Sequence, residues 1–505
     1  MKSFLPLCAI ALAALAPIVP TAAAQPPRTP NIVFILCDDL GIGDIHAFNP
    51  DRGRIPTPNV DRLAAQGIMF TDAHASSSVC TPSRYSILTG RYNWRSRLQT
   101  GVLGGMSEPL LAPGRRTVAS FLKDQGYTTA CIGKWHLGLK YGPQRFTSPL
   151  TDGPLQHGFD HFFGISASLD MPPFAWIEDD RFPEAPTATK KWLRSGPAAP
   201  TFEAIDAMPT ITQRAVEYIR RTRDKTADQP PFFLYLTFTA PHTPILPTPQ
   251  WKGKSGLGDY ADFVMQVDAS VGQVLQAIDD SRQRDNTIVY FTSDNGCAPA
   301  AEPKRLEASG HFPSAQFRGY KSDIWEGGHR IPLIVRWPGV TAPGTKSAQL
   351  VGLIDLFATT AGMLHQPLPD DAAEDSFSLL PLFEGKDLAV RTTEINHSID
   401  GYFALREGNW KLELCAGSGG WGAPRETQAA ARRLPKVQLY DLAADPAETR
   451  NVEAQHPQIV ERLTRSLEKA IADGRTTPGR PQKNDVAIEV YKKPQPGAAS
   501  QPAGE

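Results

Sequence analysis

Three short stretches carry side chains of the kind that do chemistry. "SSSVCTPSRYSILTGRY" (Ser76–Tyr92) places Cys80 two residues before a proline and four before Arg84. "NIVFILCDDLGIGD" ends an apolar run on paired carboxylates, Asp38 and Asp39. "TIVYFTSDNG" ends another on Asp294 and Asn295. Three carboxylates and an amide oxygen, with no thiolate or imidazole among them, form a hard-oxygen donor set. Such a set suits Ca²⁺ or Mg²⁺ better than zinc. Cys80 alone admits four readings: buried filler, half of a disulfide, metal ligand or nucleophile. Thr81 reads as a helix N-cap, Pro82 as the first helical residue and Gly90 as the stop. Cys80 then falls at a helix N-terminus, where free N–H groups favour anions, with Arg84 one turn in. A nucleophilic thiolate needs a partner base, and the neighbouring sequence offers none.

The elements that must position these groups share one design. Apolar runs at Asn31–Cys37, Tyr127–Ile132, Pro231–Phe238 and Thr287–Ser293 read as strands buried on both faces, as in a parallel sheet. Each hands over polar residues just past its C-terminal end: "DD", "GKWHLG", "TAPHTP" and "DNG". Helical patterns precede the last three, in "TVASFLKDQG", in Thr210 to Arg223, and at Phe263, Val267, Val271, Val274 and Ile278. The expected fold is α/β, a large mostly parallel sheet flanked by helices. Ligands bind at the C-terminal edge of such sheets. Asp38, Asp39, Lys134, His136, His242, Asp294 and Asn295 are therefore expected to converge there. After about Gly385 the texture changes to short antiparallel strands and one amphipathic helix, a smaller C-terminal α+β domain. The stretch Gly422–Arg433 reads as a surface loop.

The whole chain bounds the function class. It has 505 residues, 41% of them hydrophobic, enough for a real core. Its 52 basic and 53 acidic residues give a net charge of -1, no field for nucleic acid or an anionic membrane. Residues 1–24 read as a secretory signal: Lys2, an apolar stretch to Val19, and Ala22–Ala24 as the cleavage site. The expected product is exported, periplasmic or secreted, with no membrane span. Residues 25–385 form the expected catalytic domain, 386–485 the C-terminal domain and 486–505 a flexible tail. Five sparse, unclustered cysteines remain after cleavage, so neither a disulfide scaffold nor a zinc site is expected.

With these motifs in place, the chain resembles the type I formylglycine-dependent sulfatases of the alkaline phosphatase-like superfamily. The matching stretches are "PNIVFILCDDLGIGD", "CTPSRYSILTGRY", "GKWHLG", "PFFLYLTFTAPHTP", "FTSDNG" and "RGYKSDIWEGGHRIPLIVRWPG", in the family's order. The resemblance implies that a formylglycine-generating enzyme oxidises Cys80 to an aldehyde during maturation. Its hydrate attacks a sulfate ester through one hydroxyl, and loss of the second hydroxyl's proton expels sulfate. It further implies one Ca²⁺ held by Asp38, Asp39, Asp294 and Asn295, with modified Cys80 beside it. Arg84 would orient the diol, and Lys134 and Lys321 would hold sulfate oxygens. His242 would protonate the leaving oxygen, and His136 would help remove the diol proton. A sulfated galactose or N-acetylgalactosamine, or an aryl sulfate, is the implied substrate. A phosphonate or phosphodiester hydrolase and a non-catalytic glycan-binding homologue are the alternatives. The acid- and aromatic-rich insert Ser166–Trp192 offers Asp170 and Glu178 for sugar hydroxyls. His74, His311 and His329 lie near the motifs and are candidates to reach the site. The oligomeric state is left open.

Overall fold

The computed structural model describes Met1, residues 29–222 and residues 230–492. The leader expected over 1–24, and the tail beyond residue 492, lie outside the described residues. Nine strands form one sheet: β1 (Asn31–Asp38), β2 (Ile68–Phe70), β3 (Thr128–Lys134), β4 (His161–Ile165), β5 (Ile177–Glu178), β6 (Phe232–Pro241), β7 (Thr287–Ser293), β8 (Leu333–Arg336) and β9 (Thr345–Ser347). Their order is β9-β2-β8-β7-β1-β6-β3-β4-β5. The central run β7-β1-β6-β3-β4 is parallel throughout. Antiparallel pairs enter only toward the edges, at β7–β8, β8–β2 and β4–β5.

Strand β1 shows why its sequence is an unbroken apolar run. Successive side chains point to opposite faces, and both faces are covered. Ile32, Phe34 and Leu36 join a core with Tyr85, Leu88, Leu122 and Phe357. Val33, Ile35 and Cys37 join another with Ile211, Ala215, Val267 and Val271. The covering helices are α1 (Pro58–Ala65), α2 (Cys80–Thr89), α3 (Val118–Asp124), α4 (Ala207–Arg221), α5 (Asp259–Asp280) and α6 (Leu356–Met363). Helix α4 starts three residues before the expected Thr210, and Arg223 lies outside the described residues.

The second unit is a four-stranded antiparallel sheet, β10 (Thr393–His397), β11 (Phe403–Glu407), β12 (Trp410–Glu413) and β13 (Gln438–Asp441). Helix α7 (Pro457–Asp473) buries Leu463 and Leu467 in a core with Phe403, Leu405, Leu412 and Leu439. The stretch expected as a surface loop contains a short helix, Glu426–Ala431. Glu426 accepts the Ala416 and Gly417 N–H groups and Ala429 is buried, which holds that turn against the sheet. Ile488 and Val490, placed in the expected flexible tail, pack on the same core.

The two units meet at a buried charge cluster. Lys411 Nζ lies 2.7 Å from Glu448 and 3.2 Å from both Glu326 and Glu413. Beside it, His74 Nδ1 and His329 Nδ1 are 3.0 Å apart, and His74 Nε2 is 2.8 Å from Asp72. Asp72 also pairs with Arg330 at 2.9 Å and Arg406 at 2.6 Å. The segment leading into α2 is gripped as well: Ser77 Oγ and Ser78 N–H both donate to the His397 carbonyl.

Candidate active site

Helix α2 begins two residues earlier than expected. Its N-cap is Val79, Cys80 is the first helical residue, and no side chain caps it. Thr81 does not cap because its hydroxyl accepts the Leu103 N–H at 3.2 Å. Pro82 still sits in the first turn, where its missing N–H has no helical partner to lose. Gly90 ends the helix at φ 63°, as read from the sequence. All ten residues of α2 are buried, so the helix delivers Cys80 into the interior rather than to a surface.

The strand ends bring the predicted residues together. A carboxylate oxygen each of Asp38 and Asp294 and the Cys80 sulfur lie within 4.8 Å of one another, as do the ligand atoms of Asp38, Asp39 and His242. Arg84 is fixed on three sides: Nε reaches Asp294 at 2.9 Å, Nη2 the same carboxylate at 2.7 Å, and Nη1 the Lys134 carbonyl at 3.0 Å. Lys134 Nζ is 2.7 Å from Asp38, and Lys321 Nζ is 2.7 Å from Asp39. Asn295 donates to Asp39 at 2.8 Å. Three carboxylates thus face three cations in a buried pocket. A sulfate monoanion entering alone would make the pocket negative, which a divalent cation offsets.

Two buried oxygens fit that cation. Among the described residues, Asp38 Oδ1 and Asn295 Oδ1 find no hydrogen-bond partner, although buried polar atoms are normally satisfied. Both are hard donors and both belong to the predicted ligand set. The backbone is strained at the same place. Asp39 (φ 66°) and His136 (φ 60°) are left-handed, as is Ser322 (φ 85°), next to Lys321. Such conformations in non-glycine residues persist where the surroundings dictate them, and they gather at functional sites.

The two histidines are set in opposite tautomers by their carbonyl partners. His242 Nδ1 lies 2.6 Å from the Thr243 carbonyl, so Nδ1 carries the hydrogen and Nε2 faces Asp39 at 3.6 Å. His136 Nε2 donates to the Leu103 carbonyl at 2.7 Å, leaving a buried Nδ1 with no partner among the described residues. Burial, with Lys134 and Arg84 close by, holds the His136 pKa well below its ordinary value, so the ring is neutral. Burial raises Asp38, but Lys134, His242 and Arg84 outweigh it and hold its carboxyl well below the usual range. Asp294 goes the other way: burial and then the Asp38 charge push it up to about 6. Burial raises the Cys80 thiol despite Lys134 and Lys321. An unmodified Cys80 is therefore a neutral thiol and a poor nucleophile.

Other candidates are spent elsewhere. His74 and His329 hold each other and the interdomain cluster, and His311 is bound to Asp44. Glu178 pairs with Arg214, while Asp170 pairs with Arg194 and keeps one buried oxygen without a partner. Sequence reasoning missed Asp44 and Tyr260 as neighbours of the site. The first carried a signal, as the third acid of "DDLGIGD"; the second carried none. Cys37, Cys80, Cys131, Cys297 and Cys415 are all buried and free.

Comparison with known proteins agrees with this geometry. The sulfatase family model matches residues 30–365. An N-acetylgalactosamine-6-O-sulfatase of Bacteroides thetaiotaomicron is 35% identical, over 88% of this chain and 93% of its own length. Human steryl-sulfatase is 33% identical, over 71% of this chain and 70% of its own. Among solved structures, a B. thetaiotaomicron 6S-sulf protein from work on metabolism of multiple glycosaminoglycans superposes with a TM-score of 0.78 at 34% identity. It covers 88% of this chain and 99% of that one. The chain belongs to the sulfatase family, with its alkaline phosphatase-like fold, and is a sulfuric ester hydrolase.

Proposed function

We propose that the chain is an exported sulfatase that removes the 6-sulfate from N-acetylgalactosamine or galactose units of a sulfated glycan. The observation that carries the chemistry is the meeting of Cys80, the hard-oxygen set and three cations at one sheet edge. The substrate reading is supported by the relative that acts on N-acetylgalactosamine 6-sulfate and aligns over nearly its whole length. Export rests on the leader read over residues 1–24, and maturation requires a formylglycine-generating enzyme in the host.

Formylglycine made from Cys80, with Ca²⁺ beside it, supplies a hydrated carbonyl as nucleophile and a way to release sulfate afterwards. Asp38, Asp39, Asp294 and Asn295 Oδ1 hold the cation. Lys134 and Lys321 bind sulfate oxygens and balance the charge that shifts during transfer. Arg84 is immobilised by Asp294 and the Lys134 carbonyl, and it orients residue 80. His242, anchored through Nδ1, gives a proton from Nε2 to the leaving alcohol oxygen as the doubly protonated ring, and keeps its Nδ1 hydrogen on the Thr243 carbonyl. His136, anchored through Nε2, takes a proton at Nδ1 from the hydroxyl on residue 80. Each proton transfer has its own histidine: His242 gives its proton as an imidazolium, and His136 accepts one as a neutral ring.

The test is a substrate panel with matured protein: N-acetylgalactosamine 6-sulfate, galactose 6-sulfate, the 4-sulfated isomers, an aryl sulfate, and matched phosphodiesters and phosphonates. Sulfate release with the highest kcat/KM on the 6-sulfated sugars is expected. Turnover confined to phosphodiesters or phosphonates overturns the sulfatase chemistry. Turnover of aryl sulfate alone overturns the glycan assignment.

A further inference from the structure

The segment from His311 to Lys321 meets the carboxylate loop at both its ends. At one end Lys321 binds Asp39. At the other, His311 Nε2 lies 2.8 Å from Asp44 Oδ1. The Arg54 backbone N–H donates to His311 Nδ1 at 3.0 Å. That donor fixes the tautomer: Nδ1 accepts, so Nε2 carries the hydrogen given to Asp44. The second Asp44 oxygen accepts the Gly41 N–H at 2.8 Å and the Tyr260 hydroxyl at 2.6 Å. That hydroxyl, on α5, also lies 3.3 Å from the Asp39 carbonyl. Asp44, Tyr260 and His311 are all buried.

Between these ends the two backbones touch. Gly43 N–H donates to the Pro313 carbonyl at 2.7 Å. A Cβ at Gly41 would lie 2.3 Å from the Pro313 oxygen, and one at Gly43 2.0 Å from the Phe312 oxygen, so glycine is required at both. The loop from Asp39 to Asp44 is thus clamped on one side by residues 311–313 and on the other by α5. Asp39 sits at its start with a left-handed backbone, a conformation that needs such a clamp.

We infer that Asp44, His311 and Tyr260 form a latch that positions Asp39 and, through the same segment, Lys321. The three are positioning residues; none belongs to the donor set. Their effect is on cation affinity first and turnover second. The inference rests on reading Asp39 as a ligand of a divalent cation.

The experiment is calorimetric Ca²⁺ titration of the full chain, with melting temperatures in EDTA and in Ca²⁺, for wild type, Tyr260→Phe, His311→Ala and His311→Gln. Tyr260→Phe and His311→Ala are expected to weaken Ca²⁺ binding by about 10- to 100-fold, the range for outer-shell partners. Excess Ca²⁺ is expected to restore most of their kcat. His311→Gln keeps a donor for Asp44 and is expected to lose less affinity than His311→Ala. Unchanged Ca²⁺ affinity with a lowered melting temperature in EDTA means a structural role and overturns the latch. If His311→Ala does not fold, Tyr260→Phe removes a single hydroxyl and decides the question. No Ca²⁺ binding by the wild type overturns the cation reading itself, and the latch with it.

Discussion

Two buried charge clusters lie within one chain, and they are built differently. At the sheet edge, Asp38, Asp39 and Asp294 are each met by a cation from a separate segment: Lys134, Lys321 and Arg84. Oxygens of Asp38 and Asn295 are left over, and the backbone is left-handed at Asp39 and His136. Where the two units join, Lys411 sits centrally among Glu326, Glu413 and Glu448, with His329 Nε2 at 3.2 Å. His74, Glu326 and His329 are spaced like metal ligands, but the Lys411 ammonium already fills that role. Burial pushes Glu448 well up against the pull of Lys411, with Glu413 and Glu326 adding to the rise. Both clusters carry left-handed backbone and oxygens that find no hydrogen-bond partner among the described residues, the joint at Glu448 for the backbone and at Glu326 and Glu413 for the oxygens. What sets the sheet edge apart is that Asp38 and Asp294 gather beside the Cys80 sulfur. Buried charge closed around its own cation marks a joint.

Substitutions that cripple one cluster and spare the other break the comparison most sharply. Cys80→Ala is expected to lower sulfate ester turnover on the order of 10⁴-fold or more, the scale of losing a nucleophile. The melting temperature should stay near wild type; single-turnover and steady-state assays with a melting curve check both. Lys134→Ala is expected to cost about 10²- to 10³-fold in kcat, as when one donor to a charged transition state is removed. At the joint, Lys411→Met leaves buried carboxylates without their cation and is expected to cost about 3–5 kcal/mol of stability. Its kcat per folded molecule should stay within a few-fold of wild type. Urea unfolding paired with active-site titration separates the two quantities.

The smallest effect concerns pH. His397 links the second sheet to the segment before Cys80, and burial, followed by Lys492, depresses its ring from 6.5 to about 3. Between those values the unfolded chain binds a proton that the folded chain refuses. Stability therefore falls as pH drops from 6.5 toward 3, and levels off outside that window. His397→Gln is expected to flatten this part of the acid limb, read as urea midpoints from pH 7 to pH 4. An unchanged slope would assign the acid limb to other groups.

The parallel core was legible because strands buried on both faces must be apolar throughout, as in Asn31–Cys37 and Thr287–Ser293. Most candidate site residues could be expected to converge because they stand at a strand's C-terminal end or in the Cys80 motif; Lys321, which stands at neither, came from the family resemblance. The aldehyde came from family resemblance; spacing gave an anion-friendly helix start and no more. What stayed hidden depends on long-range contacts. Thr81 failed as a cap because Leu103 takes its hydroxyl. His311 and His329 pointed to substrate in the sequence, yet each binds a buried partner far away in the chain. The helix at Glu426–Ala431 forms because Glu426 folds back on residues 416 and 417, a pairing that local propensity does not encode.

The proposed chemistry turns on residue 80 working as formylglycine and not as cysteine. The direct measurement is peptide mass spectrometry across Cys80 on protein made with graded amounts of the maturing enzyme, alongside specific activity for each batch. Activity is expected to rise in proportion to the formylglycine fraction and to extrapolate to zero for the unmodified chain. Full activity in protein whose residue 80 is entirely unmodified cysteine would contradict it.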